Sequence, residues 1–445
     1  MDRREFLKTA GGGAAALALA SCTGSTGRGG DGNRHRLAAE GQMPQRAEGV
    51  GLLGYGCMRW PTVQGEDGRQ HIDQQEVNRL VDYALEHGVN YFDTSPAYLE
   101  GDSERATAEA LNRYPRERWL LATKLSNFSD ASYDNSVLMY RRSLEIFNTD
   151  HIDYYLLHSI SGEGAFNQRF GSTGIMDFLL KERELGHIRN LGFSFHGPDS
   201  GFDELMALHD RYHWDFVQIQ MNYVDWTHAG RGNANAEYMY GELDRRGIPI
   251  IIMEPLRGGR LADLPAGVSD RMKAREPEKS LASWAFRFAA SFPRVICVLS
   301  GMTYMEHLQD NVSTFLGLEE LTDEEKAFLE SVAEQMENYP LVGCTACQYC
   351  MPCPYGINIP AIFKFYNDNV NAGTYVTDKE QEGYARLRRR YLLAYDKAIP
   401  TVRQADHCIN CGRCVEACPQ HIAIPRELRR IDRYIEKLRQ ETLDL

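Results

Sequence analysis

The pattern of apolar and polar residues along the chain changes at about residue 49. From there to residue 338, short β-rich apolar runs are separated by segments with apolar residues at helical spacing, as in Leu281, Trp284, Ala285 and Phe288. The predicted strands are residues 50–55, 90–93, 119–124, 152–158, 188–194, 216–221, 248–253 and 295–300. Eight strands alternating with helices over about 290 residues predict an α/β fold, a (β/α)8 TIM barrel. A doubly wound open sheet is the alternative, but no G-x-G-x-x-G follows the first predicted strand.

Polar residues stand at or just after the ends of neighbouring predicted strands. Asp93 ends the second strand, Lys124 the third and His158 the fourth, and Tyr98 follows five residues after Asp93. Taken singly, each has a structural explanation, such as a helix cap or a satisfied core histidine. Because barrel enzymes carry their chemistry at the carboxyl ends of the strands, the four together predict an active site.

The composition restricts the classes of function. The chain has 445 residues, 43% of them hydrophobic and 25% charged, which is ordinary for a soluble globular protein. Its net charge of -13 argues against a nucleic-acid partner, since backbone binding needs a basic surface.

The first residues have the features of a targeting segment. Arg3 and Arg4 precede a weakly apolar stretch that is too short to span a bilayer, and this resembles a twin-arginine export signal. The sequence LASC ending at Cys22 resembles a bacterial lipobox, which predicts a lipid-anchored protein; a cleaved signal without lipid and an accidental match in a cytosolic protein are the alternatives. Residues 23–48 are rich in Gly, Ser and charge, and they predict a flexible linker.

Eight of the eleven cysteines form two runs near the end of the sequence. Three thiolates spaced two residues apart can surround one cubane iron-sulfur cluster, and a fourth cysteine before a proline usually belongs to the other cluster of a pair. Disulfides or two zinc sites are the alternatives, although zinc sites usually space their ligands as two pairs. The proposed metal ligands are Cys344, Cys347, Cys350, Cys353, Cys408, Cys411, Cys414 and Cys418.

Two resemblances give these patterns a function. The segments NYFDTSPAY, LLATK, YYLLHS and GHIRNLGFS resemble the aldo-keto reductases, in order and at similar spacing, from about residue 50 to residue 315. Residues 339–445 resemble a small, mainly helical bacterial ferredoxin with two [4Fe-4S] clusters, and the fusion resembles an iron-sulfur branch of the same superfamily. This resemblance assigns Cys344, Cys347, Cys350 and Cys418 to one cluster. It assigns Cys408, Cys411, Cys414 and Cys353 to the other, although the run around Cys353 is one residue short.

The resemblance implies hydride transfer between a nicotinamide and a carbonyl or alcohol. Tyr98 is then the general acid, and Lys124, held by Asp93, is expected to lower its pKa. His158 is expected to donate a hydrogen bond to the carbonyl oxygen. The expected substrate is a small carbonyl compound or alcohol, with sugars included.

The resemblance also implies positions for the cofactor, NADP or NAD. Ser194 and Gln218 correspond to residues that hold the carboxamide, and Phe195 and Met253 stand where an Asn and an aromatic are usual. His307 stands where an arginine often grips the 2′-phosphate, which weakens the case for NADP. The residues expected near the adenosine phosphates are Ser300, Gly301, His307 and Asn311.

The sequence therefore predicts residues 1–22 as signal, 23–48 as linker, 49–338 as barrel and 339–445 as iron-sulfur domain. Because a cubane cluster moves one electron and a nicotinamide moves a hydride, the clusters have three open roles. They relay electrons to a redox partner protein, fasten the tail to the barrel, or serve a separate carrier function. The alternative to an enzyme is an exported electron-transfer module that uses the barrel as a scaffold. The expected location is outside the cytosol, as an anchored lipoprotein or a periplasmic protein.

Overall fold

Parallel strands form the centre of the protein, whose computed structural model describes residues 41–442. Within that range, eight strands close into a barrel in which each strand pairs with its neighbours in chain order and the last pairs with the first. The strands are β1 (Leu53–Gly56), β2 (Tyr91–Asp93), β3 (Leu120–Leu125), β4 (Ile152–Ile160), β5 (Ile188–Phe195), β6 (Phe216–Gln220), β7 (Ile250–Met253) and β8 (Val295–Ser300). The predicted (β/α)8 barrel and its eight strands are confirmed.

The barrel has two layers of apolar packing. Side chains from strands all round the ring fill its interior, where the rings of Tyr91 and Tyr154 lie 4.9 Å apart and those of Tyr154 and Phe216 lie 5.1 Å apart. A larger cluster packs the outer faces of the strands against the helices. The longer helices around the barrel are Gln74–Glu86, Asp102–Leu111, Tyr133–Phe147, Ile175–Glu184, Asp199–Ala207, Ala236–Arg246, Ala266–Arg275, Leu281–Ala290, Met305–Leu316 and Asp323–Met336.

Part of the segment predicted as linker forms a short ribbon beside the barrel. Gln45–Ala47 forms a short antiparallel ribbon with Val50–Gly51. Arg46 fixes this ribbon, because its guanidinium donates to the carbonyl of Ala290 at 2.5 Å and pairs with Glu320 at 2.8 Å. The predicted signal with Cys22 and residues 23–40 of the predicted linker lie outside the described residues.

The C-terminal region has a separate hydrophobic core made of helices. Ile362, Phe363 and Tyr366 pack against Leu428, Ile431 and other buried residues of the last helix. Its longer helices are Ile359–Asn371, Tyr384–Ala398 and Ile424–Gln440. The cysteines lie in the loops and short turns between these helices, so the helical core supports two cysteine-bearing loops.

Candidate active site at the carboxyl end of the barrel

The structure brings the four predicted catalytic side chains to one rim of the barrel. Asp93 ends β2, Lys124 lies near the end of β3 and His158 lies near the end of β4. Tyr98 begins a short helical turn, Tyr98–Gly101, in the loop after β2. The Tyr98 and His158 rings meet edge to face at 5.7 Å, and the Lys124 ammonium lies 4.9 Å from the centre of the Tyr98 ring.

Asp93 and Lys124 form a buried ion pair. Lys124 Nζ donates to Asp93 Oδ1 at 2.6 Å and to the carbonyl of Thr94 at 2.8 Å. Burial raises the pKa of Asp93 and lowers the pKa of Lys124, and the attraction between the two groups opposes both shifts. The second carboxylate oxygen of Asp93 has no hydrogen-bond partner among the described residues, so the pair depends on a single close contact.

The pKa of the Tyr98 phenol is shifted in the direction opposite to the one expected from the sequence. Burial raises its pKa well above 10, and the negative charge of Asp93 adds to the increase. The Lys124 ammonium faces the ring of Tyr98, and the loss of water around the hydroxyl is the largest influence on its pKa. Tyr98 is therefore a protonated phenol at neutral pH, which suits a proton donor and not a resting base.

His158 is held by hydroxyl groups on one side of its ring. Its Nδ1 lies 2.6 Å from Ser126 Oγ and 3.3 Å from Ser95 Oγ. Burial lowers the pKa of His158 well below 6.5, with the nearby positive charges of Lys124 and Arg169 as smaller causes. The ring is neutral at neutral pH, and a hydroxyl donating to Nδ1 leaves the proton on Nε2.

Tyr349 enters this site from the C-terminal region, and sequence reasoning missed it. Its hydroxyl lies 3.1 Å from His158 Nε2 and also forms a side-chain hydrogen bond with Tyr98. Phe128 packs beside both rings, 5.1 Å from His158 and 6.4 Å from Tyr349. The only sequence signal is the position of Tyr349 between Cys347 and Cys350, and that spacing says nothing about contact with the barrel.

The nicotinamide end of the predicted cofactor site is formed by buried polar groups. Ser194 Oγ accepts a hydrogen bond from the backbone of Ser159 at 2.8 Å, which leaves its hydroxyl proton for another acceptor. Gln218 contacts Met253 Sδ at 3.5 Å, and its buried Oε1 has no partner among the described residues. One free acceptor and one free donor, both buried, fit the amide of a nicotinamide.

The phosphate end lies at β8, on the other side of β7. Asn311 Nδ2 donates to Ser300 Oγ at 3.0 Å, whereas His307 is exposed and meets the Tyr304 ring edge to face at 5.2 Å. Gly301 is also exposed, and an added Cβ there would lie 2.9 Å from the Arg59 side chain.

A dinucleotide that joined these two ends would have to pass over the loop after β7, because β7 lies between β6 and β8 in the barrel. That loop is covered. The Thr345 backbone packs directly on Gly258, and Arg59 donates to the Thr345 carbonyl at 2.5 Å. The residues at the nicotinamide end therefore fit a nicotinamide amide. The path of a dinucleotide from there to the phosphate end is covered by Thr345 and Arg59.

The cysteines fall into the two sets expected from the sequence. Cys344, Cys347, Cys350 and Cys418 line one cavity. Cys353, Cys408 and Cys411 lie close enough to Cys414 to influence its thiol. Among residues 41–442 no three His, Cys, Asp or Glu side chains are placed to hold a single metal ion. Four thiols around an apolar cavity suit a larger group such as a cubane cluster.

The loop that follows Cys418 contacts the barrel through a buried amide pair. Gln420 Nε2 donates to Gln220 Oε1 at 2.9 Å and lies 3.2 Å from a Glu254 carboxylate oxygen. The Pro419 carbonyl accepts from Asn233 at 3.2 Å. Burial and the charge of Asp225 raise the pKa of Glu254 to about 7. The first cysteine cavity thus lies beside the mouth of the barrel.

Comparison with known proteins agrees with this geometry. Residues 52–334 match the model of the Aldo/keto reductase family. The chain belongs to the aldo/keto reductase family. This aldo/keto reductase is an oxidoreductase that carries additional segments, because residues 343–424 match a 4Fe-4S dicluster domain and residues 1–20 match a twin-arginine translocation signal.

Curated relatives of this aldo/keto reductase are distant. L-galactose dehydrogenase of Arabidopsis thaliana is 24% identical over 310 residues, which cover 65% of this chain and 92% of that protein. D-arabinose 1-dehydrogenase of Saccharomyces cerevisiae is 31% identical over 187 residues, which cover 40% of this chain and 49% of that protein.

Solved structures share the fold of the barrel. An aldo/keto reductase from Klebsiella pneumoniae, in complex with NADP and acetate, has a TM-score of 0.51 and 21% identity, and the match covers 64% of this chain and 92% of that one. The holo form of aldo-keto reductase AKR11C1 from Bacillus halodurans has a TM-score of 0.50 and 22% identity, with the same coverage.

The twin-arginine signal indicates export by that route. Among residues 41–442, no helix combines the length and the apolar character needed to cross a membrane.

Proposed function

We propose that this protein interconverts a small carbonyl compound and its alcohol by hydride transfer with NADP or NAD. The observation that carries the proposal is the convergence of Asp93, Tyr98, Lys124 and His158 at the rim, close to the buried polar groups of the nicotinamide end. The nicotinamide, when bound, supplies or accepts the hydride. Among the relatives are a galactose dehydrogenase and an arabinose dehydrogenase, so sugars belong in any substrate panel.

Each of the four side chains has a separate task in this proposal. The neutral His158 ring donates from Nε2 to the carbonyl oxygen and orients it, while Ser126 holds the other nitrogen. Tyr98, a protonated phenol, delivers its proton as negative charge develops on that oxygen. The Lys124 ammonium stabilises the phenolate left behind, and Asp93 fixes the position of Lys124.

The test is turnover by anaerobically purified protein, with NADPH and with NADH, of a panel of aldehydes, ketones and sugars. We expect Tyr98→Phe to lower kcat about 10²- to 10⁴-fold, the range for loss of a general acid. Its iron content should equal that of the wild type, since Tyr98 lies outside both cysteine sets. Wild-type rates in Tyr98→Phe would rule out this assignment.

We also propose that two [4Fe-4S] clusters bind at the two cysteine sets. Three residues of the first set lie on the loop that carries Tyr349, which contacts His158. This arrangement supports both an electron relay towards a partner protein and fastening of the domain over the barrel. EPR of the clusters before and after addition of NADPH separates the two, because only a relay requires that nicotinamide reduce them.

A second candidate function is supported by the covered route over the loop after β7. If Thr345 and Arg59 stay in place, the barrel serves as a scaffold for an exported electron-transfer module and binds no dinucleotide. Equilibrium binding of NADPH to the intact protein distinguishes the candidates. Micromolar affinity supports the reductase, and no binding at millimolar concentrations supports the module.

We propose further that Cys22 is acylated and anchors the exported protein to a membrane surface. The lipobox-like residues before Cys22 support this proposal. Replacement of Cys22 with Ser should release the protein from the membrane fraction while its export continues, whereas an unchanged distribution would indicate that no anchor is attached there.

A further inference from the structure

Tyr349 is placed unusually for a residue between two predicted cluster ligands. Its hydroxyl lies 3.1 Å from His158 Nε2, inside the barrel site and away from the cavity that its neighbours Cys347 and Cys350 line. The side chain is largely buried beneath Phe128 and against the Tyr98 hydroxyl. The iron-sulfur region thus supplies a fifth side chain to the active site.

The hydroxyl of Tyr349 occupies a position that the proposed chemistry needs. In that chemistry the substrate oxygen accepts hydrogen bonds from His158 Nε2 and from Tyr98. In the tautomer in which Ser126 donates to Nδ1, Nε2 carries the one ring proton, which serves one acceptor at a time. A substrate oxygen and the Tyr349 hydroxyl therefore compete for the same donor.

Tyr349 lies on a loop that contacts both the barrel and the first cysteine cavity. The loop is tied to the barrel at Thr345, through Arg59 and Gly258, and it carries Cys344, Cys347 and Cys350. Rotation of the hydroxyl alone leaves the Tyr349 oxygen beside His158 Nε2, so a ligand there has to displace the ring. Displacement of the ring together with its loop would connect binding at the rim to the first cysteine cavity.

We infer that Tyr349 holds the place of the substrate oxygen in the closed protein, and that a ligand entering between Tyr98 and His158 displaces the loop of residues 344–350. This inference rests on the proposed function, because it uses the carbonyl position which that function defines. It adds a residue that sets the affinity of the site for oxygen ligands and connects the site to the loop carrying three cysteines.

The first test uses acetate as the probe, because its oxygens are small acceptors without protons. Binding is measured by calorimetry to the cluster-loaded full-length protein without added nucleotide. Tyr349→Phe keeps the ring and removes the competing hydroxyl, and about fivefold tighter acetate binding is expected from loss of one hydrogen bond. Tyr355→Phe is the matched control, since Tyr355 is an exposed tyrosine on the same cysteine-rich segment, and its affinity should equal that of the wild type.

Unchanged or weaker binding in Tyr349→Phe overturns the inference, as does absence of binding to both proteins. Tyr98→Phe separates this result from the proposed function. If Tyr98→Phe retains both acetate affinity and carbonyl turnover, the proposed function is wrong regardless of Tyr349. If only Tyr349→Phe gives the contrary result, the proposed function stands and this inference fails.

The second test needs no variant and so does not depend on folding of Tyr349→Phe. Hydrogen exchange is measured on the wild-type protein with and without saturating acetate. Peptides that cover residues 344–350 should lose protection, while those from the helix Ile424–Gln440 should not change. Equal or greater protection of residues 344–350 in the presence of acetate contradicts the inference.

Discussion

The Thr345 backbone lies directly on Gly258, with no space between them for a side chain. A Cβ at residue 258 would overlap the Thr345 carbonyl, and Arg59 donates to that carbonyl at 2.5 Å. Gly258 also has a φ of +72°, a left-handed conformation that glycine adopts without strain. This contact joins the iron-sulfur region to the loop after β7, over the route that a dinucleotide would take.

Substitution at Gly258 should therefore weaken the attachment of the iron-sulfur region to the barrel. Gly258→Ala adds the strain of a positive φ and an overlap with backbone that cannot rotate away, about 1–3 kcal/mol for the overlap alone. Gly259→Ala is the matched control, because it has a φ of +98° and nothing within 4 Å of the added Cβ. We expect a larger fall in Tm and faster proteolysis near residues 339–358 for Gly258→Ala than for Gly259→Ala, which carries the positive-φ strain without the overlap. Equal effects of the two substitutions would mean that the Thr345 contact contributes nothing.

The buried pair of Asp93 and Lys124 should be sensitive to loss of either charge. Asp93→Asn leaves the Lys124 ammonium buried without a counter-ion, which typically costs about 3–5 kcal/mol. Thermal unfolding should show this loss, and carbonyl turnover should fall with it. The control is Glu76→Gln, which breaks an exposed pair with Arg79 at 2.7 Å and should cost less than about 1 kcal/mol. Similar Tm values for the two variants would show that Asp93 is not ionised in the folded protein.

His196 should make stability fall on acidification. Burial, with a smaller effect of the His421 charge, lowers the pKa of His196 from 6.5 to about 4. His196 therefore binds a proton below about pH 6.5 in the unfolded chain, but only below about pH 4 in the folded protein. Stability is retained above pH 6.5 and lost between pH 6.5 and 4, by at most about 3 kcal/mol.

The measurement is Tm against pH for the wild type, His196→Asn and the exposed-site control His71→Asn. The decrease in Tm between pH 6.5 and 4 should be smaller in His196→Asn than in the other two proteins. Parallel curves for all three would show that His196 is not held neutral by the fold.

The assignment of Cys418 to the first cysteine set can be checked by iron content. Cys418 is the last cysteine of the second run in sequence, but it lines the cavity of the first run together with Cys344, Cys347 and Cys350. Cys418→Ser should lower the bound iron towards half and leave the signal of the other cluster. Cys297→Ala is the control, since Cys297 is buried in the barrel interior, and it should keep all the iron. Full iron in Cys418→Ser would remove Cys418 from the ligand set.

The barrel and its rim could be predicted because their signals are local. Each strand is a short apolar run, and the carboxyl ends of parallel strands meet at one edge, so the order of residues along the chain is enough to place Asp93, Lys124 and His158 together. The ribbon at Gln45–Ala47 could not be predicted, because it depends on Arg46 reaching carbonyls that lie 244 and 246 residues further along the chain.

The contributions of the iron-sulfur region to the site could not be predicted for a similar reason. Tyr349 and Gln420 lie beside cysteines, and the cluster motif accounts for the cysteines without giving either neighbour a role. The contacts of Tyr349 with His158 and of Gln420 with Gln220 arise only when two separate cores pack together. The sequence also gives the wrong direction for the pKa of Tyr98, which Lys124 is expected to lower. Burial reverses that direction, because the ammonium faces the ring and the hydroxyl has lost its water.

The central claim, hydride transfer at the Tyr98 site, is tested most directly by the fate of an isotopic label. Reduced nicotinamide deuterated at the transferred position is incubated with the cluster-loaded protein and a carbonyl compound that it reduces, in ordinary water. The account predicts deuterium on the carbinol carbon of the alcohol, and a strongly reduced yield from Tyr98→Phe. Alcohol that forms without deuterium at that carbon would contradict it, since the reducing electrons would then have reached the substrate by another route.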